Sequence, residues 1–122
     1  MAHILIIDDS PTDVRVFTTL LEKAGHQVSS ASSAEEGIER VKEHMPDMVI
    51  MDVIMPGMNG FQATRTLSRD PGTKDVPILI ITTKSMETDR VWGLRQGARD
   101  FLTKPVSEKE LLTRIEKLLA GK

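Results

Sequence analysis

The 122-residue sequence has no cysteine, no excess of basic residues and no long apolar run. Without cysteine, disulfides, thiolate metal sites and thiol nucleophiles are excluded. Because the sequence contains 16 Lys and Arg but 18 Asp and Glu, and no basic cluster occurs, we expect no nucleic-acid binding. No apolar stretch approaches the roughly 20 residues of a membrane-spanning helix, and no targeting segment opens the sequence. We therefore expect no membrane insertion and a cytoplasmic location.

Glycine-rich phosphate-binding loops are also missing, so nucleotide binding has no support. What the sequence does contain is typical of a folded globular protein, with 39% hydrophobic and 28% charged residues. The length suits one domain, and we predict a single domain over residues 1–122.

Short apolar segments alternate with amphipathic ones along the chain. Four runs are apolar at consecutive positions, as in parallel strands covered on both faces. A fifth segment, Gln27–Ala31, alternates like a strand at the edge of a sheet. The four runs are Ile4–Ile7, Met48–Met51, Ile78–Ile81 and Phe101–Leu102.

Capping residues and apolar stripes predict five helices between these strands. The predicted N-caps are Ser10 (followed by Pro11), Ser33, Asn59, Ser85 and Ser107. The third helix is expected to reach about Ser68, before a surface loop over Arg69–Pro77, and Gly121–Lys122 is expected to be a tail. The predicted inward-facing residues of the other helices are Val14, Phe17, Leu21 and Ala24; Ile38, Val41 and Met45; Val91, Leu94 and Ala98; and Leu111, Leu112, Ile115, Leu118 and Leu119.

Strict alternation of strands and helices predicts an α/β protein with right-handed crossovers. For a chain of this length, a flavodoxin-like (βα)5 three-layer sandwich with parallel strand order 2-1-3-4-5 is favoured. Ligands of such sheets bind in the crevice at the carboxyl ends of the strands.

Polar and charged residues follow the predicted strands at that edge. Asp8 and Asp9 follow the first strand, Asp52 the third, Thr82 ends the fourth, and Lys104 follows the fifth. One acid after a strand is usually a loop residue or a helix cap, but caps have no reason to gather at one edge. Clustered carboxylates repel each other unless a cation or proton intervenes, and oxygen ligands suit Mg²⁺. A lysine and a hydroxyl beside the ion suit a phosphoryl group, which one of the acids would accept.

Four segments of the sequence resemble the receiver domains of bacterial two-component response regulators, in the stand-alone form of chemotaxis-like signalling. They are IIDDSP (Ile6–Pro11), MDVIMPGMNG (Met51–Gly60), IITT (Ile80–Thr83) and FLTKP (Phe101–Pro105). Two further segments, Asn59–Arg65 and Val91–Pro105, are more similar to the regulators of type IV pilus twitching motility.

The resemblance implies a role for each residue at the strand ends. Asp52 would be the phosphoryl acceptor, and Asp9, Asp52 and the backbone carbonyl of Ile54 would ligate Mg²⁺. Asp8 would act largely through a metal-bound water, and the two neighbouring acids would depend on Mg²⁺ for their neutralisation. Lys104, preceding a cis proline bond, would pair with a phosphoryl oxygen.

The resemblance also implies a switch that changes the protein-binding surface. Thr82 would swing to the phosphoryl group and Phe101 would rotate inward behind it. Ile54 and Lys84 flank the route of the hydrolytic water and are expected to tune the phosphoryl lifetime. Trp92, expected to be partly exposed beside an inward Val91, is a candidate anchor on the output surface.

The implied partners are a histidine kinase of a chemotaxis-like system and a downstream target protein or motor component. We expect a monomer, with no output domain after Lys122 and with self-modification as its only chemistry, so that it is not an enzyme. A role as phosphate sink for a kinase shared with another regulator stays open. Two less favoured alternatives are an aspartate-nucleophile phosphatase of the haloacid dehalogenase type, which usually has DxD on its first strand, and a flavin-binding electron carrier of the same fold.

Overall fold

The computed structural model describes residues 1–121, and within them one parallel five-stranded sheet forms in the order β2-β1-β3-β4-β5. This confirms the predicted fold class. Three strands extend one or two residues beyond the apolar runs, because polar residues at the strand ends still join the backbone ladder. The strands are β1 (His3–Ile7), β2 (Gln27–Ala31), β3 (Met48–Met51), β4 (Ile78–Thr82) and β5 (Asp100–Thr103).

Five helices within residues 1–121 connect and cover the strands, forming the outer layers of the sandwich. They are α1 (Pro11–Lys23), α2 (Ala34–His44), α3 (Gly60–Arg69), α4 (Glu87–Arg95) and α5 (Glu108–Ala120). Side chains of α1 and α5 pack on one face of the sheet, and those of α2, α3 and α4 pack on the other.

The central strands are buried on both faces, which is why they are apolar without alternation. Along β1, Ile4 and Ile6 belong to the core under α1 and α5, whereas Leu5 and Ile7 belong to the opposite core. The edge strand β2 is only partly covered, which explains its polar residues.

Hydrogen bonds of side chains fix where most of the helices begin. Ser10, Ser33 and Ser107 accept from backbone N–H groups in their first helical turns, as predicted. Asn59 and Gln62 form a reciprocal capping box at the start of α3, which the sequence analysis did not identify.

Helix α4 differs from the prediction at its N-terminus and in the face it buries. Its N-cap is Met86 rather than Ser85, and the carboxylate of Asp89 accepts from the Met86 backbone N–H at 3.2 Å. Val91 is 39% exposed rather than inward-facing. The helix instead turns Gly93 toward the sheet, where an added Cβ would lie 3.0 Å from Ile80 Cδ1.

Two residues predicted to face the core lie at helix ends and are exposed. Ala24 is the C-cap of α1, and Met45 is the C-cap of α2 with a left-handed φ of 40°, which directs its 49%-exposed side chain away from the core. The predicted loop is also more ordered than a surface connection, because Thr73 is buried and its hydroxyl donates to the Leu67 carbonyl at 2.7 Å.

Two predicted segments without regular structure, the loop and the tail, differ in how they compare with the structure. Arg69, the first residue of the predicted loop, belongs to α3. Lys122 of the predicted tail lies outside the described residues. The Lys104–Pro105 bond is cis, as expected. No helix in residues 1–121 is long and apolar enough to cross a membrane.

Candidate functional site at the carboxyl ends of the strands

Three carboxylates meet at the carboxyl edge of the sheet because β1 and β3 are neighbours. Asp8 and Asp9 follow β1 and Asp52 follows β3, and one carboxylate oxygen from each lies within 4.8 Å of the others. Asp8 and Asp52 are buried, whereas Asp9 is exposed. The cluster therefore has two acids fixed in the protein and one facing solvent.

The backbone around these acids extends the sheet beyond its strands. The Asp8 N–H donates to the Ala31 carbonyl at 3.1 Å, and the Asp52 N–H donates to the Ile7 carbonyl at 2.9 Å. One carboxylate oxygen of Asp8 also accepts from the Ser10 N–H at 2.9 Å. These bonds fix the direction in which the two buried carboxylates leave the backbone.

Gly60 allows the start of α3 to lie against the backbone of Asp52. A Cβ at this position would lie 1.9 Å from the Asp52 carbonyl oxygen, so only glycine permits this approach. The close approach of α3 to the loop that carries Asp52 therefore depends on the absence of a side chain at Gly60.

Lys104 brings a cation into the acidic cluster. Its Nζ lies 2.9 Å from Asp8 Oδ2, 2.7 Å from Asp13 Oδ2 and 3.6 Å from Asp52 Oδ1, and its side chain is 13% exposed. The expectation that the acids depend on a metal for their neutralisation is therefore incomplete, since Lys104 compensates part of their charge.

Asp13 is the site residue that sequence reasoning missed. In the sequence it resembles an ordinary acid in the first turn of a helix, where the helix dipole favours negative charge. The available signal was its position three residues after Ser10, which places it on the turn nearest the strand ends.

Burial and charge change the proton affinities of the two central groups. Burial, together with the negative charge of Asp8, raises the pKa of Asp52 from 3.8 to about 6, although Lys104 opposes the shift. Burial alone would lower the pKa of Lys104, but hydrogen bonds to Asp13 and Asp8 outweigh it and raise that pKa above its ordinary value. Lys104 stays charged, and Asp52 is mainly ionised at neutral pH.

Thr82 is the last residue of β4, at the carboxyl edge of the sheet, whereas Phe101 is the second residue of β5 and pairs with Ile80. Thr82 is fully buried, its hydroxyl accepts from the Lys84 N–H at 3.3 Å, and it pairs with Thr103, the residue before Lys104. Phe101 is already buried in this structure, next to Gly93 of α4.

The predicted tuning residues lie at the mouth of the site. The side chain of Ile54 is exposed, and together with Lys84 it lines an open cavity beside the loop that follows Asp52. Trp92 lies outside the site, on α4, where it is 48% exposed.

The donor set fits a hard divalent cation. The three acids offer only oxygen ligands, and one of them faces solvent, so that an ion such as Mg²⁺ would keep part of its hydration. The residues present are therefore compatible with Mg²⁺ at Asp8, Asp9 and Asp52.

Two curated proteins are similar to the chain in sequence. The chain is 55% identical to Protein PilH of Pseudomonas aeruginosa over 121 residues, covering 99% of this chain and 100% of that protein. It is 38% identical to the response regulator PleD of Caulobacter vibrioides over 117 residues, which is 96% of this chain but only 26% of that protein.

Solved structures share the fold over nearly the whole chain. The crystal structure of the chemotaxis protein CheY4 of Vibrio cholerae superimposes with a TM-score of 0.90 at 30% identity, covering 97% of this chain and 98% of that one. The family profile of the response regulator receiver domain matches residues 4–116. With this match and the identity to PilH, the chain belongs to the response regulator receiver domain family of two-component signalling.

Proposed function

We propose that this receiver domain is a phosphorylation-dependent switch in which Asp52 accepts a phosphoryl group from a histidine kinase in a Mg²⁺-dependent reaction. The observation that carries the proposal is the grouping of Asp8, Asp9 and Asp52 within 4.8 Å, with Lys104 Nζ at 3.6 Å from Asp52 Oδ1. Receiver domains are signalling switches rather than enzymes with turnover of a separate substrate, and self-modification at Asp52 agrees with that role.

Asp9, Asp52 and the backbone carbonyl of Ile54 are the proposed direct ligands of Mg²⁺, with Asp8 acting through a water. The ion would neutralise the oxygens of the phosphoryl group during transfer. Asp8 and Asp52 are buried, so a mismatch of charge in their surroundings has a large effect on both.

The chemistry at Asp52 is a nucleophilic displacement at phosphorus. An oxygen of the ionised carboxylate forms the new P–O bond, and the P–N bond of the kinase phosphohistidine breaks. The imidazole nitrogen keeps the bonding pair and takes a proton from solvent. Lys104, already beside Asp52, pairs with a phosphoryl oxygen, and water later hydrolyses the acyl phosphate.

The proposed response to phosphorylation runs through Thr82 and Phe101. The Thr82 hydroxyl accepts from the Lys84 N–H and keeps its own proton free to donate to a phosphoryl oxygen. The Phe101 ring lies close to Gly93 of α4, so a movement of the ring would change the packing of that helix. The local change thereby shifts the equilibrium between two arrangements of the surface formed by α4, β5 and α5.

Trp92 is the proposed anchor for a partner on that surface. Since it is 48% exposed, replacing it by Ala should weaken partner binding while leaving the free energy of unfolding nearly unchanged. Calorimetric titration with the target, alongside urea unfolding of the same variant, measures both. Unchanged affinity for the target would remove Trp92 from the output surface.

The proposed setting is twitching motility driven by type IV pili, with a histidine kinase of a chemotaxis-like system as the phosphodonor. The resemblance of Asn59–Arg65 and Val91–Pro105 to regulators of that class supports it, as does the similarity to PilH. The output is binding of a target protein or motor component. A phosphate-sink role predicts instead rapid loss of phosphoryl groups from the shared kinase without a phosphorylation-dependent partner.

Beryllofluoride, which mimics a phosphoryl group on a carboxylate, tests the switch. With Mg²⁺ present, it should change Trp92 fluorescence in the wild-type chain and leave Asp52→Asn unchanged. A response without Mg²⁺, or an equal response in the variant, would contradict the proposed site.

A further inference from the structure

The carboxylate of Asp89 joins the mouth of the phosphoryl site to the first turn of α4. One oxygen, Oδ1, lies 3.5 Å from Lys84 Nζ, and the other, Oδ2, accepts from the Met86 N–H at 3.2 Å. The Asp89 side chain is 18% exposed and that of Lys84 is 37% exposed, so water screens the ion pair only in part.

Lys84 is a cation near the carboxyl edge of the sheet, and its ammonium has a different partner from that of Lys104. Within residues 1–121 its ammonium pairs with Asp89 rather than with Asp8, Asp9 or Asp52. Its backbone N–H meanwhile contacts the Thr82 hydroxyl, and its side chain lines the same cavity as Ile54. Lys84 therefore lies beside the loop that follows Asp52, while its charge is held toward α4.

Helix α4 buries little apolar surface, since Leu94 is only partly buried against the core. Gly93 is its only fully buried residue, and Val91 and Trp92 are both exposed. A helix with so little buried apolar surface depends strongly on the bonds at its ends. The hydrogen bond that the Met86 N–H donates to Asp89 is such a bond, and its acceptor is the same carboxylate that pairs with Lys84.

We propose that Asp89 is a positioning residue that holds the Lys84 ammonium toward the start of α4, and thereby sets the lifetime of the phosphoryl group on Asp52. The proposal rests on the proposed function of Asp52. When the pair breaks, the freed ammonium reaches the phosphoryl oxygens and the path of the attacking water, and hydrolysis changes. Because one carboxylate makes both contacts, a protein that binds the first turn of α4 and engages Asp89 also alters dephosphorylation.

The test is a double-mutant cycle on the dephosphorylation rate constant, measured after phosphorylation with acetyl phosphate and Mg²⁺. Asp89→Asn removes the charge but keeps an oxygen that accepts from the Met86 N–H. We expect it to change the rate constant about two- to fivefold, the size of effect carried by an ion pair of this exposure. In a Lys84→Met background the same substitution should have no effect, and Asp89→Glu should restore most of the wild-type lifetime.

Glu87→Gln is the matched control, because Glu87 lies in the same helical turn and pairs with Arg90 rather than with Lys84. It should leave the lifetime unchanged. NMR of the Lys84 side-chain nitrogen gives a readout independent of hydrolysis, and its signal should shift in Asp89→Asn and not in Glu87→Gln.

The possible failures are distinguishable. An unchanged lifetime in Asp89→Asn, or the same change with and without Lys84, overturns the positioning role and leaves the proposed function intact. A wild-type chain that takes up no phosphoryl group overturns the proposed function, and the positioning role with it.

Discussion

Replacing Asp52 by Asn should stabilise the folded chain at neutral pH in the absence of Mg²⁺. The reason is that Asp52 is a buried carboxylate close to Asp8, and burial and this neighbour raise its pKa from 3.8 to about 6. A pKa difference of one between the folded and unfolded states corresponds to about 1.36 kcal/mol. The ionised form of Asp52 therefore costs the folded state about 2 to 3 kcal/mol relative to the unfolded chain. The amide of Asn has nearly the same shape and carries no charge.

The direction of the pH dependence follows from the raised pKa. Only well below the unfolded-state pKa of 3.8 does Asp52 hold its proton in both states and contribute no difference. As pH rises toward about 6, the unfolded chain loses this proton first, so the wild-type chain loses stability. The advantage of Asn should therefore grow from about pH 4 to about pH 6 and stay constant above about pH 7.

Urea unfolding in the presence of EDTA, followed by far-UV circular dichroism at about pH 5 and about pH 8, measures this difference. Asp75→Asn is a suitable control because Asp75 is exposed, and it should change the free energy of unfolding little. Added Mg²⁺ should stabilise the wild-type chain more than the Asp52 variant, since a ligand that binds only the folded state adds its binding free energy. An Asn variant that is less stable than wild type at about pH 8, or a difference independent of pH, would mean that the buried charge of Asp52 does not destabilise the folded chain.

Three further substitutions test other parts of the site. Lys104→Met leaves Asp8 and Asp13 without their cation, so the free energy of unfolding without Mg²⁺ should fall by about 1 to 3 kcal/mol in urea titrations. Gly60→Ala forces a Cβ against the Asp52 carbonyl, and thermal unfolding should show a loss of about 1 to 3 kcal/mol. Exchanging Ile54 and Lys84 should change the phosphoryl lifetime, measured by loss of label, more than the Mg²⁺ affinity measured by titration.

Each of these has a control and a contrary result. Lys109→Met removes an exposed lysine and should cost little; an equal loss in both lysine variants would mean that the pairs of Lys104 contribute nothing. Gly72→Ala, where the nearest atom to a Cβ lies at 3.4 Å, should be tolerated, and equal tolerance at Gly60 would contradict the close packing described for α3. Unchanged hydrolysis after the exchange at positions 54 and 84 would remove both residues as tuning positions.

The sheet and the position of the acidic cluster could be predicted because their signals are local. A strand buried on both faces must be apolar at consecutive positions, and Ile4–Ile7 and Met48–Met51 meet this requirement directly. The order of the strands then places Asp8, Asp9 and Asp52 together, since residues that follow neighbouring parallel strands lie at one edge.

The contacts that the sequence analysis missed join residues that are distant in the chain or depend on packing. Asp13 and Lys104 are 91 positions apart, and no pattern of neighbouring residues in the sequence predicts that they form an ion pair. The orientation of α4 depends on Gly93, which packs against Ile80 and Phe101. The spacing of apolar residues does not predict that a glycine faces the sheet. The spacing of Met45 predicts a core position, whereas the left-handed end of α2 turns its side chain outward.

The decisive experiment on the proposed switch is phosphorylation of Asp52 itself. The chain is incubated with acetyl phosphate and Mg²⁺, and its intact mass is measured beside Asp52→Asn and a sample containing EDTA. We expect a mass increase of one phosphoryl group in the wild-type chain, localised to Asp52, and none in the variant or with EDTA. A wild-type chain that gains no mass, or an Asp52→Asn variant that gains as much, would rule out Asp52 as the phosphoryl acceptor.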